Sequence, residues 1–177
     1  MINRKLFYEK LKVNLFTKFT QLQVDGIEAI LNEIEAQGVT DPLHQAYIFA
    51  TAYHEAYDVK NKLRIVPIIE SGGPRYLRSK KYFPFYGRGY VQLTWGYNYK
   101  KYSDLLKIDL IKNPDKVLDV KISAFILVHG MRTGSFTGKK LSNYKTFAPM
   151  RRIINGIDKA SLIASIANHF LVAISNS

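Results

Sequence analysis

The chain has 177 residues, 47% of them hydrophobic, so it is long and apolar enough to bury a sizeable core. It has no cysteine, which excludes a disulfide framework, a thiol nucleophile and a thiolate metal site. The net charge of +12 favours a polyanionic partner such as nucleic acid, an anionic membrane surface or an anionic cell-wall polymer. The same charge also suits a solvated basic surface that only keeps the protein soluble.

Two of these partner classes lack further support in the sequence. No arginine-rich arm, zinc-ligand spacing or RNA-binding aromatic motif is present, so we expect no nucleic-acid partner. The apolar runs are far shorter than the roughly 18 residues that span a bilayer, so we expect no stable membrane insertion. The basic N-terminal residues are not followed by an apolar segment, and we therefore expect no secretory signal peptide.

The N-terminal third predicts three helices. Apolar side chains at near-helical spacing predict the first over residues 2–16. The capping-box pattern Thr20–Gln23 starts the second, which Gly38 ends. An Asp-Pro pair at residues 41–42 starts the third, which should end at about residue 55 or 57.

The middle of the chain loses the helical period. Residues 58–85 contain three prolines and two glycines, and they predict a long irregular segment with a short hairpin near residues 65–70. Segments of this length inside a compact domain are usually functional. Helix should return over about residues 97–107.

The last third is again helical. An Asn-Pro-Asp turn at residues 113–115 starts a new helix, and the apolar stretch 122–128 predicts a buried helix that ends at Gly130. A final helix is expected over residues 161–174. There is no internal repeat or linker, so we expect residues 1–177 to form one domain.

Residues 86–99 are chemically unusual. They hold five aromatic residues and three glycines, with an arginine, a glutamine, a threonine and an asparagine among them. Flat rings suit pyranose faces, and amides and hydroxyls suit sugar hydroxyls, so this composition favours a sugar-binding cleft. Trp95 is ambiguous, because it could equally point into the core.

Two of the six glutamates stand apart from the polar faces of the first two helices. Glu55 lies at the end of an apolar helix beside His54, where partial burial would let its carboxyl keep a proton. Glu70 lies in the irregular segment, where an exposed carboxylate would stay ionised. The alternative interpretations are a helix-end salt bridge of Glu55 with Lys60 or Arg64, and a surface turn for Glu70.

One acidic and one ionised carboxyl are what glycoside hydrolysis requires on either side of the bond that breaks. Other chemistries find less support, because the four histidines show no metal-ligand spacing and no nucleophile elbow or phosphate-binding loop is present. We therefore expect no metal and no cofactor. For His54, a hydrogen-bonded core imidazole competes with a role in the site.

Several motifs together resemble glycoside hydrolase family 19, and within it the endolysins of bacteriophages and prophages more than the plant chitinases. The resemblance covers nearly the whole chain, in order. Its motifs are Gln23–Ile27, Ala50–Glu55, Tyr86–Trp95 with Tyr97–Tyr99, Asn113–Asp115, Gly130–Leu141 and Arg152–Gly156.

The resemblance implies a mainly α (α+β), lysozyme-like two-lobed fold with a small β element beside the active-site cleft. It implies that Glu55 is the general acid, that Glu70 is the base that activates water, and that Thr94 holds that water. It matches Gln92, Tyr97, Asn98 and Asn155 to substrate-contacting positions. Our further candidates for substrate binding are His54, Tyr86, Arg88, Trp95 and Arg152.

The chain departs from the plant pattern in three respects. Residues 56–58 replace the threonine and glycines that follow the His-Glu pair, and the loop before residue 86 is shorter. The late arginine of the plant enzymes has no match in the last helix, and Arg151 or Arg152 would have to supply that charge instead. The plant disulfides are absent, which fits folding in a bacterial cytoplasm.

The function expected from residues and resemblance together is hydrolysis of peptidoglycan glycan strands, by an endolysin of muramidase type, with inversion. A chitinase on the same fold and a non-catalytic wall-binding module are the alternatives. We expect a monomer without a separate wall-binding domain, held in the bacterial host cytoplasm until it is released to the cell wall or periplasm. Release would need a separate membrane-permeabilising protein.

Overall fold

The computed structural model describes residues 2–175, and these form a mainly helical fold with four two-residue strands. The α-helices are α1 (Arg4–Asn14), α2 (Gln21–Ala36), α3 (Pro42–Glu55), α4 (Gly73–Arg78), α5 (Gly96–Leu106), α6 (Val120–Thr133), α7 (Phe147–Met150) and α8 (Ala160–Ser175). The strands are β1 (Tyr57–Asp58), β2 (Leu63–Arg64), β3 (Ile68–Ile69) and β4 (Arg88–Gly89). Short 3₁₀ helices cover Pro114–Leu118, Leu141–Asn143 and Arg151–Ile153.

The predicted starts of α2 and α3 are confirmed. The Thr20 side chain accepts the backbone N–H of Gln23, and the Gln23 side chain accepts that of Thr20 in return. Asp41 caps α3 by accepting the N–H of Leu43 at 2.9 Å, with Pro42 at the first helical position. Both caps satisfy backbone donors that a helix start leaves without partners, which fixes where α2 and α3 begin.

The larger hydrophobic core joins α3 to α8 and α2 to α6. Its centre is a row of rings in which Phe49 contacts Phe7 and stacks on Phe170, each at 5.3 Å between ring centroids. All three rings are fully buried. Because α3 is held on this row, its last turn emerges at the edge of the core with a defined position.

A second, smaller core lies beside the first and is built around Leu93, Tyr99, Tyr102 and Val117. Helix α6 serves both cores, since Ile126 packs into the small one while Leu127 and Val128 pack into the large one. The structure therefore has two lobes that share α6, and the expected mainly helical, two-lobed architecture is confirmed.

The prediction of a hairpin near residues 65–70 is wrong. The hairpin is the antiparallel pair β1–β2, over residues 57–64. Strand β3 instead pairs with β4, with Ile68 opposite Gly89 and Ile69 opposite Arg88. Local composition predicts which residues form a strand, but it does not predict that the partner strand lies some 20 positions later. The prediction of a local hairpin failed for this reason.

Two further helical features departed from expectation. The irregular segment 58–85 contains the one-and-a-half-turn helix α4. Helix α6 continues past Gly130 and ends at Gly134, whose backbone is left-handed with φ of 80°. Gly130 lies inside the helix. The ring of Phe136 packs so closely against it that a Cβ at position 130 would lie 2.0 Å from that ring. The glycine was therefore a packing signal and not a stop signal.

Gly26 of α2 connects the large lobe to the segment that carries the β element. A Cβ at this position would lie 2.4 Å from the carbonyl oxygen of Ile65 and 2.8 Å from the hydroxyl of Tyr90. Ile65 and Tyr90 are both fully buried, so neither can retreat into solvent.

Among residues 2–175, no helix has the length and apolarity required to cross a bilayer.

We predict that Gly26→Ala lowers the free energy of unfolding by about 1–3 kcal/mol through overpacking, although alanine is the better helix former by about 1 kcal/mol. Urea unfolding followed by circular dichroism measures this change. Gly156→Ala is the matched control, because its Cβ would meet open space, and it should stay within about 0.5 kcal/mol of the parent. An unchanged or raised urea midpoint for Gly26→Ala would refute the packing argument.

Candidate active site

Glu55 is the last residue of α3, and its carboxylate forms an ion pair with the guanidinium of Arg151. The Arg151 side chain is only 5% exposed, whereas that of Glu55 is 22% exposed. Arg151 also donates from Nε to the carbonyl of Asp158 at 2.9 Å. Glu55 is thus held from the protein interior and keeps part of its carboxyl at the surface.

The salt bridge considered for Glu55 from the sequence is not formed with Arg64. That guanidinium donates to the carbonyl of Tyr53 at 2.9 Å. It lies over the rings of Tyr53 and Tyr57, 4.7 and 4.2 Å from their centroids. The cation that holds Glu55 comes instead from a residue 96 positions later.

The turn that supplies this cation contains the other predicted late residues. Of the two arginines considered from the sequence, Arg151 is the one against Glu55, whereas Arg152 is exposed. The carbonyl of Arg152 accepts a hydrogen bond from the Thr137 hydroxyl at 2.7 Å. Asn155 is exposed, and its side chain accepts the N–H of Gly156 at 2.8 Å. Arg152 and Asn155 therefore lie on the surface, within four residues of Arg151.

His54 precedes Glu55 and is half-buried. Burial lowers the pKa of His54 below its usual value, and Arg151 acts in the same direction, while the Glu55 carboxylate opposes both. The imidazole is consequently neutral at pH 7, and only a neutral imidazole has a ring nitrogen free to accept a hydrogen bond.

Glu70 is anchored through both carboxylate oxygens. Oε1 accepts the hydroxyl of Tyr82 at 2.6 Å, and Oε2 accepts the backbone N–H of Gly87 at 2.9 Å. The backbone N–H of Glu70 in turn donates to the Gly87 carbonyl at 2.8 Å, next to the β3–β4 pair. The bond to Glu70 raises the pKa of Tyr82 to about 12, so the phenol keeps its proton and remains a donor.

Exposed aromatic rings adjoin this carboxylate. Tyr82 packs edge-on against Trp95 with the centroids 5.3 Å apart, and Trp95 stacks on Tyr97 at 6.3 Å and an interplanar angle of 18°. Trp95 is 42% exposed and Tyr97 is 69% exposed. The ambiguity over Trp95 is thereby resolved in favour of the surface, and flat apolar faces are available beside Glu70.

Polar side chains between these rings and the β element brace the loop. The Thr94 hydroxyl donates to the carbonyl of Gln92 at 2.7 Å, and the Asn98 side chain donates to the carbonyl of Thr94 at 2.8 Å. Gln92 donates from Nε2 to the Ile68 carbonyl of β3 at 3.1 Å. These three half-buried residues are thus brought together on the side of the loop that leads to Glu70.

Arg88 requires a correction, because the structure places it in the interior and not on a substrate-facing wall. It is 2% exposed, and Nε pairs with Asp115 at 2.7 Å. Another nitrogen donates to the Tyr99 hydroxyl at 3.0 Å and to the Tyr86 carbonyl at 3.1 Å. The guanidinium also covers the half-buried Tyr86 ring at 3.7 Å from its centroid. Arg88 therefore shapes the loop from within.

Two contacts of the site were not found from the sequence. Arg151 was considered only as an alternative to its neighbour, since adjacent arginines look alike when the fold is unknown. Tyr82 was not singled out at all, because nothing near it in the sequence indicates that its hydroxyl would reach Glu70. Within residues 2–175, no group of three or more His, Asp or Glu residues is placed to hold a metal ion.

Comparison with solved structures identifies proteins that share the fold of this chain. A bacterial family 19 chitinase superposes with a TM-score of 0.70 over 98% of this chain and 94% of its own, at 22% identity. Chitinase C from Streptomyces griseus HUT6037 gives a TM-score of 0.68 over 98% of this chain and 76% of its own, at 20% identity. The chain has the fold of the family 19 chitinases.

Sequence comparison finds shorter similarities, and no protein-family model matches the chain. Chitinase 11 of Oryza sativa subsp. japonica is 50% identical over 42 residues, which are 24% of this chain and 16% of the relative. Inactive chitinase-like protein 1 of Hevea brasiliensis is 37% identical over 75 residues, 41% of this chain and 23% of the relative. The matches therefore span less than a quarter of the length of these curated relatives.

Two half-buried histidines predict a pH-dependent stability. Burial lowers the pKa of both His54 and His129 in the folded protein. Between those lowered values and about 6.5, the unfolded chain binds more protons than the folded one, so stability should fall as pH drops below about 6.5. Above that pH the effect should vanish, because both states are then neutral.

Thermal melts between about pH 5 and pH 8 check this prediction. His54→Gln and His129→Gln should each reduce the fall in Tm on acidification, and the double variant should reduce it most. A parent Tm that is flat across this window, or variants that follow the parent at every pH, would refute the assignment of neutral histidines.

Proposed function

We propose that the protein is a glycoside hydrolase that cleaves β-1,4 bonds in the glycan strands of bacterial peptidoglycan, between N-acetylmuramic acid and N-acetylglucosamine, with inversion. The observation that carries this proposal is a pair of glutamates, Glu55 and Glu70, each held by a contact distant in sequence, in the fold of the family 19 chitinases. Glycosidases use such a pair of carboxyl groups as acid and base.

Glu55 acts as the general acid in this mechanism. Arg151 engages Oε1, which leaves Oε2 to carry the proton that is donated to the glycosidic oxygen.

Glu70 acts as the base. Glu70 receives one hydrogen bond on each carboxylate oxygen, from Tyr82 and from Gly87, and these two bonds fix its orientation. Water held by Glu70 and Thr94 attacks the anomeric carbon from the face opposite the leaving group. The carbon–oxygen bond to water forms as the glycosidic bond breaks, Glu70 takes the proton of the water, and Glu55 supplies the proton of the leaving hydroxyl.

The exposed rings and amides bind the sugars. Trp95 and Tyr97 offer flat faces to pyranose rings, which stack on aromatic side chains. Gln92 and Asn98 would contact substrate from the same loop, and Asn155 from the turn beside Glu55. Arg152 adds an exposed positive charge near that turn.

The net charge of +12 favours peptidoglycan over chitin as the substrate. Bacterial walls carry peptide carboxylates and often phosphate-rich polymers, so a basic protein is attracted to them. Chitin is neutral and offers no such gain. An endolysin of this kind would act from the host cytoplasm after a separate protein has permeabilised the membrane.

Two other functions have specific support. A chitinase is favoured by the names of the relatives and of the solved structures. A non-catalytic glycan-binding protein is favoured by the relative from Hevea brasiliensis, which is described as inactive. All three functions would use the aromatic surface beside Glu70, but only two of them require an intact acid at residue 55.

We predict that the protein lowers the turbidity of purified bacterial walls and releases fragments with N-acetylmuramic acid at the new reducing end, as identified by mass spectrometry. Glu55→Gln removes the acid while keeping a side chain of the same size, and its amide oxygen can still accept a hydrogen bond from the guanidinium of Arg151. It should lower the rate by a factor of about 10²–10⁴. Glu9→Gln, on the exposed face of α1, is the matched control and should retain the parental rate.

Three other outcomes would each contradict a specific part of the proposal. Release of chitooligosaccharides from colloidal chitin, with walls left intact, would select the chitinase. Binding to walls without any cleavage by the parent protein would select the non-catalytic function. Parental wall lysis by Glu55→Gln would mean that Glu55 is not the acid.

A further inference from the structure

Four cations lie on one turn next to the candidate active site. Arg75 and Arg78 belong to α4, and Lys80 and Lys81 follow it directly. Residues 71–103 contain no acidic side chain, so no carboxylate nearby in sequence neutralises this group. We refer to residues 75–81 as the basic turn.

The cations of the basic turn are not neutralised by carboxylates of the described residues. None of the four forms a salt bridge with another residue in the range 2–175, in contrast to Arg88 and Lys100 of the same acid-free stretch, which pair with Asp115 and Asp104. Three of the four are exposed, and Lys80 is half-buried. Their charge is therefore directed to solvent or to a bound partner.

The turn has a defined shape. Leu77 is 7% exposed and anchors it to the protein. Both the backbone N–H and the hydroxyl of Ser79 donate to the Tyr76 carbonyl, the latter at 2.7 Å, and the N–H of Lys80 donates to the Leu77 carbonyl at 3.2 Å. The Lys80 ammonium lies 3.8 Å from the centroid of the Tyr76 ring, which is itself 43% exposed. A fixed turn loses less conformational entropy on binding than a flexible one.

The basic turn is connected to the proposed base through one residue. Lys81 directly precedes Tyr82, whose hydroxyl donates to Glu70 at 2.6 Å and whose ring packs against Trp95. The C-terminal end of the basic turn therefore lies beside the residue that contacts both Glu70 and Trp95.

We propose that the basic turn binds anionic groups, carboxylate or phosphate, on the same wall polymer whose glycan strand is cleaved at Glu70. This inference rests on the proposed function and specifies how a wall strand is retained. The position of the turn favours a wall polymer over a lipid surface, because contact with a membrane would not require the cations to adjoin Glu70. The chemistry matches, since arginine binds carboxylate and phosphate through paired hydrogen bonds and lysine binds them as a point charge.

The test measures binding separately from cleavage. All proteins carry Glu55→Gln, so that purified walls stay intact during cosedimentation. In the test protein Arg75, Arg78, Lys80 and Lys81 are all replaced by glutamine. In the matched control the same replacement is made at four exposed lysines of the N-terminal region, Lys5, Lys10, Lys12 and Lys18, which removes the same total charge.

We expect the test protein to bind walls roughly tenfold more weakly than its parent at about 50 mM salt, and the control protein to change by less than about twofold. The difference should disappear at about 500 mM salt, where charges a few ångströms apart are screened. If the test protein itself unfolds, the pair Lys80→Gln and Lys81→Gln provides a milder variant, for which we expect a loss of about threefold.

Three results would overturn the proposal. Equal losses in the test and control proteins would mean that only net charge matters. Parental wall binding by the test protein would mean that the basic turn is not used. A loss confined to vesicles of equal parts phosphatidylglycerol and phosphatidylcholine would assign the turn to membranes. Failure of the proposed function is seen separately, as an absence of wall cleavage by the protein with Glu55 intact.

Discussion

The ion pair between Arg151 and Glu55 is the contact on which the rest of the site depends. Arg151 is 4% exposed, and a buried charge without a partner costs several kcal/mol, so this guanidinium must be paired for the fold to be stable. Its partners are the carboxylate at the end of α3 and the carbonyl of Asp158, just before α8. One side chain thus joins the end of α3 to the approach to α8, the two helices that pack most extensively on each other. The same requirement gives Glu55 its fixed position at the surface.

Glu70 is also held in a fixed position, but by hydrogen bonds and not by an ion pair. Here the donors are a phenol and a backbone N–H, and no cation approaches the carboxylate in the contacts that the structure describes. Glu55, paired with a cation and half-buried at the edge of the large core, and Glu70, held by neutral donors beside exposed rings, are therefore in unequal environments. The exposed rings and the end of the basic turn both adjoin Tyr82, so the proposed glycan-binding and anion-binding groups lie on the Glu70 side of the site.

Local signals in the sequence predicted a large part of this structure. Thr20 with Gln23 and Asp41 with Pro42 are capping patterns whose physics acts within four residues, and they set where α2 and α3 begin. What could not be predicted depends on partners far along the chain. From the sequence, Arg88 was expected on a substrate-facing surface, whereas the structure places it against Asp115 and the ring of Tyr86. The pairing of β3 with β4 and the bond from Tyr82 to Glu70 likewise have no local signature.

The central claim is that water, activated by Glu70, attacks the anomeric carbon directly, without a covalent intermediate. Proton NMR of the first sugar product, recorded before mutarotation equilibrates the anomers, tests this claim most directly. The account predicts that hydrolysis of a β-1,4-linked wall glycan yields the α-anomer first, since single displacement inverts the configuration. First appearance of the β-anomer would show retention and would contradict the roles given to Glu55 and Glu70.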